Sequence, residues 1–185
     1  KASWGGGGRG MRPINGPDEL EEKILEGRRE AEAAFGNGEG YLEKMITRAR
    51  HVEVQILGDK HGEIYHLWER DCSVQRRNQK VVERAPAPYL SDAQRQELCE
   101  LGRRICAHVN YECAGTVEFL LVNEDVYFME MNTRIQVEHT ITEQITGIDI
   151  VQEQLRIAAG APLNFSQETV SFRGYAMQLR INAED

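Results

Sequence analysis

The spacing of apolar residues changes period several times along the chain, and each change marks an element. Leu20, Ile24, Arg28, Ala31 and Phe35 recur at helical spacing, with Pro17 at a first-turn position and Gly36 as a stop. From His51 to Leu57 the period drops to two. The turn residues 58–62 then lead into a second extended run, 63–68, which predicts a hairpin. Ser91 with Gln94 reads as a capping box opening a helix whose inward face carries Leu98, Leu101 and Ile105. Residues 116–122 and 126–131 form a second strand pair around Asn123-Glu124-Asp125. Asp149 starts a helix with Ile150, Leu155 and Ile157, closed by Gly160 and Pro162, and 172–181 reads as a last strand. Strands outnumber helices and pair as hairpins, so the fold class is α+β with an antiparallel sheet.

With 185 residues, 41% hydrophobic and 28% charged, the composition is that of one ordinary globular domain. Lys plus Arg 22 against Asp plus Glu 30 gives −8, which argues against nucleic acid as a partner. No apolar run reaches membrane-span length. The four cysteines (Cys72, Cys99, Cys106, Cys113) contain no CxxC pair, so neither a zinc knuckle nor a disulfide scaffold is indicated, and reduced thiols are expected. The chain opens directly on a glycine run with no strand before it and reads as a piece of a longer polypeptide.

The chemistry concentrates between Glu130 and Glu138. Glu130, Asn132, Arg134, Gln136 and Glu138 occupy every second position, and an extended chain would set all five on one face. With the hairpin turn centred on Glu124, Val122 faces Val126 and Glu118 lies opposite Glu130. Like charges so opposed are destabilising. Together with Asn132 they form a hard oxygen site of the kind that holds Mg²⁺ against phosphates. Glu118, set among Val117, Phe119, Leu120 and Leu121, needs a partner of some kind. The successive glycines 5–8, flanked by Lys1 and Arg9, offer backbone N–H groups to phosphate. From Arg70 to Arg84 five bases meet two acids, a local +3 that suits an anion pocket.

In order along the chain, KASWGGGGRGMR (1–12), RHVE (50–53), ERDCS (69–73), RRNQKVVERAPAPYL (76–90), EMNTRIQVEH (130–139) and RINAED (180–185) resemble the ATP-grasp portion of biotin carboxylase. Within that family the tryptophan before the glycines and the 76–90 run are most similar to the pyruvate carboxylase branch. The resemblance implies an ATP-grasp fold fragment, with a lid subdomain at 1–46 and a truncated large-sheet part at 47–185. It implies carboxyphosphate formation from ATP and bicarbonate, then carboxylation of biotin on a separate carrier domain. It also implies Mg²⁺ or Mn²⁺, a carboxyltransferase partner, a homo-oligomer in the full-length enzyme, and a cytoplasmic location (the mitochondrial matrix in a eukaryote).

Residue by residue, the resemblance assigns Lys1, Gly7 and Gly8 to the phosphates and Glu43, Lys44, Met45 and Ile46 to an adenine-binding hinge. His51 and Gln75 fall nearer the ribose, and Asn78, where many relatives carry His, can hydrogen-bond ribose or phosphate. Glu118, Glu130 and Asn132 match metal ligands, with the two carboxylates also contacting ATP. Lys80, Arg134, Gln136 and Val137 match the bicarbonate pocket, Glu138 the general base, and Arg180 a second arginine for bicarbonate and the biotin enolate. Three alternatives stay beside this reading: the biotin carboxylase component of an acyl-CoA or urea carboxylase, another ATP-grasp ligase of the carbamoyl-phosphate synthase type, and an inert nucleotide-binding piece. With the family's N-terminal subdomain and C-terminal remainder missing, little or no biotin-dependent ATPase activity is expected of these residues alone.

Overall fold

A computed structural model of the chain describes residues 1–5 and 8–183, which fall into two units divided between Thr47 and Arg48. In the first unit, helix α1 (Leu20–Phe35) follows a short 3-10 turn at Pro17–Glu19. It ends on Gly36, whose φ of 71° is the left-handed conformation expected of that stop. The strand-like segment at Ala2 bridges to Gly40, and the Lys1 carbonyl accepts from Tyr41 N at 2.9 Å.

The second unit is built on a six-stranded antiparallel sheet. Its strands are β1 (Arg50–Gly58), β2 (Ile64–Arg76), β3 (Gln79–Ala85), β4 (Cys113–Val122), β5 (Asp125–Asn132) and β6 (Ala176–Leu179). Their order across the sheet is β5-β4-β1-β2-β3-β6. Helix α2 (Asp92–His108) covers one face, packing Leu98, Cys99 and Cys106 onto Val52, Val54, Ile56, Val117 and Phe119. Gly102 permits that approach, because a Cβ there would lie 3.0 Å from the Val54 Cβ. The Ser91 capping box forms as read. On the other face α4 (Ile150–Ala158) buries Ile150 and Ile157 against Leu57, Leu67 and Ala114. Helix α3 (His139–Thr146) sets Ile141 and Ile145 against Ala85.

The structure revises the sequence reading in several places. Strand β2 runs on to Arg76 and pairs with β3, so the basic stretch is a hairpin. Arg77 and Asn78 form its two-residue loop, both with positive φ (52° and 63°), the geometry of a type I′ turn that favours Asn. In the β4–β5 pair Glu118 does oppose Glu130. The route there differs: Val122 opposes Asp125 and Leu121 opposes Val126, and a bulge at Met129 restores the register. The alternation from 130 to 138 is not one strand. β5 ends at Asn132, residues 133–138 are loop and turn, and helix α3 begins only at His139. On α4 Leu155 is exposed, while Glu153 is buried beside Ile150 and Ile157. Of the run 172–181 only Ala176–Leu179 pairs as a strand.

Candidate active site

Along β1 the alternation places Val52, Val54 and Ile56 under α2 and His51, Glu53 and Gln55 on the opposite face, where Glu53 and Gln55 are wholly buried. Cross-strand register brings Arg70 of β2 and Glu118 of β4 directly beside Glu53. Opposed strands therefore put two carboxylates and one guanidinium in contact on a single sheet face. Carboxylates so placed demand partners, since an unpaired buried charge is costly.

Those partners converge from four strands and a loop. Lys80 of β3 extends its ammonium to Glu53, to Glu118 Oε1 at 2.8 Å and to Glu138 Oε1 at 2.8 Å. Arg70 donates to Glu53 Oε1 at 2.6 Å, to Gln55 Oε1 at 2.8 Å, to Thr142 Oγ1 at 2.9 Å and to Gln136 Oε1 at 3.3 Å. Asn132 and Gln136 donate to Glu118 Oε1 at 2.9 and 2.8 Å. Gln75 donates to His51 Nδ1 at 2.7 Å, which leaves the Nε2–H to donate to Glu118 Oε2 at 2.6 Å. Arg180, just beyond β6, donates from Nε to Glu83 Oε1 at 2.6 Å and from Nη2 to Glu138 Oε2 at 2.8 Å. Among the described residues its Nη1 has no hydrogen-bond partner.

The electrostatics follow from this geometry. Burial pushes the Glu118 carboxyl up, but the His51 hydrogen bond and the Lys80 charge outweigh it and hold the group far below the usual carboxylate range. Glu138 behaves likewise: desolvation is overcome chiefly by Lys80, so its carboxylate is ionised at neutral pH. Burial opposes the Lys80 charge, yet Glu53, Glu118 and Glu138 raise its pKa above that of a free lysine. Glu83 lies on the other side of balance. Its burial raises the pKa, and Arg180 only partly offsets this.

These contacts sort the expected residues. Lys80, His51, Gln75, Glu118, Asn132, Gln136, Glu138 and Arg180 are brought together on one face. Glu130 is exposed opposite Glu118, and Asn132 follows two residues along the same strand. Two carboxylates and an amide oxygen are donor types that suit a hard divalent cation; here both Glu118 oxygens and Asn132 Oδ1 accept hydrogen bonds from neighbouring side chains. Arg134 is exposed and reaches Asn132 Oδ1 at 3.4 Å, and Val137 is also exposed. Gln136 spends both ends of its amide inside the network, on Arg70 and Glu118. Asn78 sits at the tip of the β2–β3 turn. The local +3 of the 70–84 stretch is largely consumed: Arg70 and Lys80 meet acids from other strands, and Arg84 Nε meets Asp71 at 3.0 Å.

In the first unit Lys1 Nζ lies 3.5 Å from Glu43, Lys44 and Met45 are exposed, Ile46 is half-buried and Gly8 has φ 78°. Gly7 lies outside the described residues.

Sequence reasoning missed Glu53, Arg70 and Glu83 as members of the network. The available signal was the one used for Glu118, an acid embedded between apolar residues: Glu53 stands between Val52 and Val54.

Residues 1–166 match the family model described as the carbamoyl-phosphate synthase L chain, ATP binding domain. The chain belongs to that family. Its relatives within the family narrow the comparison. A biotin carboxylase of Haemophilus influenzae is 55% identical over 185 residues, covering 100% of this chain and 41% of the relative. Among solved structures, a Rhizobium etli pyruvate carboxylase superposes with a TM-score of 0.93 at 58% identity, over 97% of this chain and 17% of that one. The biotin carboxylase domain of a Hydrogenobacter thermophilus 2-oxoglutarate carboxylase, in complex with MgADP and bicarbonate, gives 0.95 at 52% identity, over 100% of this chain and 41% of the other. The chain thus spans about two fifths of the curated biotin carboxylase. The fold is the ATP-grasp fold of biotin carboxylases, α+β with an antiparallel sheet. No helix among the described residues is long and apolar enough to cross a membrane.

Proposed function

We propose that this chain forms the bicarbonate-activating part of an ATP-dependent biotin carboxylase. The observation that carries the proposal is the grip on Glu138: one carboxylate oxygen on Lys80, the other on Arg180, with an unused Arg180 donor beside it. A buried carboxylate kept ionised next to two cations can take the proton of a bicarbonate held by those same cations. The resulting carbonate oxygen bonds to the γ-phosphorus of ATP as the bond to the ADP oxygen breaks, giving carboxyphosphate and ADP. The carboxyl carbon then bonds to N1′ of carrier-linked biotin as its bond to the phosphate oxygen breaks, and the departing phosphate takes the N1′ proton. Fixed cations at the site stabilise the negative charge that develops on each acceptor oxygen.

Glu118, Glu130 and Asn132 would hold a divalent cation, which would neutralise nucleotide phosphate charge. Lys1, Gly7, Gly8 and the Glu43–Ile46 segment are the proposed nucleotide contacts of the first unit, with His51, Gln75 and Asn78 those of the second. Arg134 and Val137 would meet the anion or the biotin from the exposed rim. A biotin carrier and a carboxyltransferase follow as partners, and a pyruvate carboxylase is the context we favour, supported by the 58% identity to the Rhizobium etli enzyme.

Glu138→Gln in the complete protein tests the assignment. It should abolish bicarbonate-dependent ATP cleavage, a loss of at least about a hundredfold, and leave MgATP binding by calorimetry within a factor of two or so of wild type. Retained cleavage, or loss of nucleotide binding with it, would remove Glu138 from the role of base.

A further inference from the structure

Two arms hold Glu138, and both are rooted in β3. Lys80 belongs to β3 and reaches Glu138 Oε1 directly. Arg180 belongs to the segment after β6 and is tied to β3 twice: its backbone N donates to Val81 O at 2.9 Å, and its Nε donates to Glu83 Oε1 at 2.6 Å. Glu83 is fully buried, while the Arg180 side chain keeps 30% of its surface exposed. The second oxygen of Glu83, Oε2, is buried with no hydrogen-bond partner. A buried carboxylate with an orphaned oxygen is expensive to keep for packing alone, which points to a requirement for its charge at that spot.

We propose that Glu83 is a positioning residue for bicarbonate: it fixes the Arg180 guanidinium through Nε, so that Nη2 stays on Glu138 and Nη1 stays open to the anion. This rests on the reading of Glu138 and Arg180 given above. A flexible arginine anchored only at its backbone samples many rotamers, whereas a charged bond at Nε leaves the outer nitrogens a single fork direction. Glu83 supplies that bond from the same strand that carries Lys80. The two cations then keep a constant separation across Glu138 when an anion enters.

The test uses the complete protein and steady-state ATP cleavage, with bicarbonate and MgATP varied separately. Glu83→Gln, which preserves shape but removes the charge, should raise KM for bicarbonate about tenfold, the size expected for losing one charged hydrogen bond, and leave KM for MgATP unchanged. In an Arg180→Ala background the same substitution should add no further loss, because Glu83 acts through Arg180. Wild-type bicarbonate kinetics in Glu83→Gln would overturn the inference. So would equal losses with and without Arg180, or equal rises in both KM values, since these mark a merely structural residue. If Glu83→Gln does not fold, Glu83→Asp, whose shorter side chain withdraws the carboxylate from Arg180 Nε, takes its place in the same cycle and is judged by the same outcomes. If the wild-type protein shows no bicarbonate-dependent cleavage at all, the reading of the site fails first and this inference with it. If it does and only the Glu83 prediction fails, the site reading stands.

Discussion

Glu118 is almost fully buried and accepts from Lys80, Asn132 and Gln136 at one oxygen and His51 at the other. Lys80 is the common member of this set, serving three acids at once. Replacing it with Met leaves those carboxylates facing one another without their shared counter-charge. Lys80→Met should therefore lower unfolding stability by about 3–5 kcal/mol, the usual consequence of breaking a buried ion pair from one side. Urea denaturation checks this, and an unchanged midpoint would mean that Arg70 and Arg180 suffice to neutralise the cluster. At this scale the need of Glu118 for partners was legible from its apolar neighbours in the chain. Glu53 carried the same signal, between Val52 and Val54, but an alternating strand assigns its polar positions to solvent, and Glu83, followed by Arg84, carried no such signal. Only the packing of α3 and its preceding loop over that face reverses the assignment.

At the scale of elements, the site depends on how closely strands and their connections approach. Gly58 ends β1 against the turn after α2, and a Cβ there would stand 2.1 Å from the Tyr111 carbonyl oxygen. Backbone would have to move. Gly58→Ala should cost about 1–3 kcal/mol by overpacking, read as a lower midpoint in thermal or urea unfolding; a neutral result would mean that the 109–112 turn yields freely. Helices α1 and α2 were legible because their apolar period and caps agree. The hairpin signal at 58–62 was equally clear. The β2–β3 hairpin was hidden, since Arg77 and Asn78 turn the chain without glycine or proline. The run 130–138 misled for another reason. Residues 130–138 alternate in sequence, but only Asn132, Gln136 and Glu138 reach the buried face, by strand end, loop and turn rather than by one pleat.

For the whole molecule, acid stability has an identifiable contributor away from the site. His66 is buried at the sheet, edge-on to Trp68, with Glu100 and Arg103 of α2 acting on it from a distance. Burial lowers its pKa from 6.5 to about 4. Between those values the unfolded chain binds a proton that the folded one refuses, so stability falls as pH drops through this window. The slope from one such group reaches about 1.4 kcal/mol per pH unit. His66→Phe should flatten the pH dependence of the urea midpoint between pH 6.5 and pH 4 relative to wild type. Parallel curves would show that His66 stays accessible to protons in the folded state.

The net charge of −8 says little about what the molecule binds. The local arrangement decides it: four buried carboxylates (Glu53, Glu83, Glu118, Glu138) are set against Lys80, Arg70 and Arg180, and one unused Arg180 donor lies beside the proposed base. The central claim is that this cluster makes bicarbonate the nucleophile toward ATP. Its most direct test supplies the complete protein with MgATP and bicarbonate labelled with heavy oxygen, and weighs the phosphate released. Phosphate carrying one bicarbonate oxygen is the predicted result. Phosphate free of the label, with ATP still consumed, would show that water attacks instead and would contradict the account.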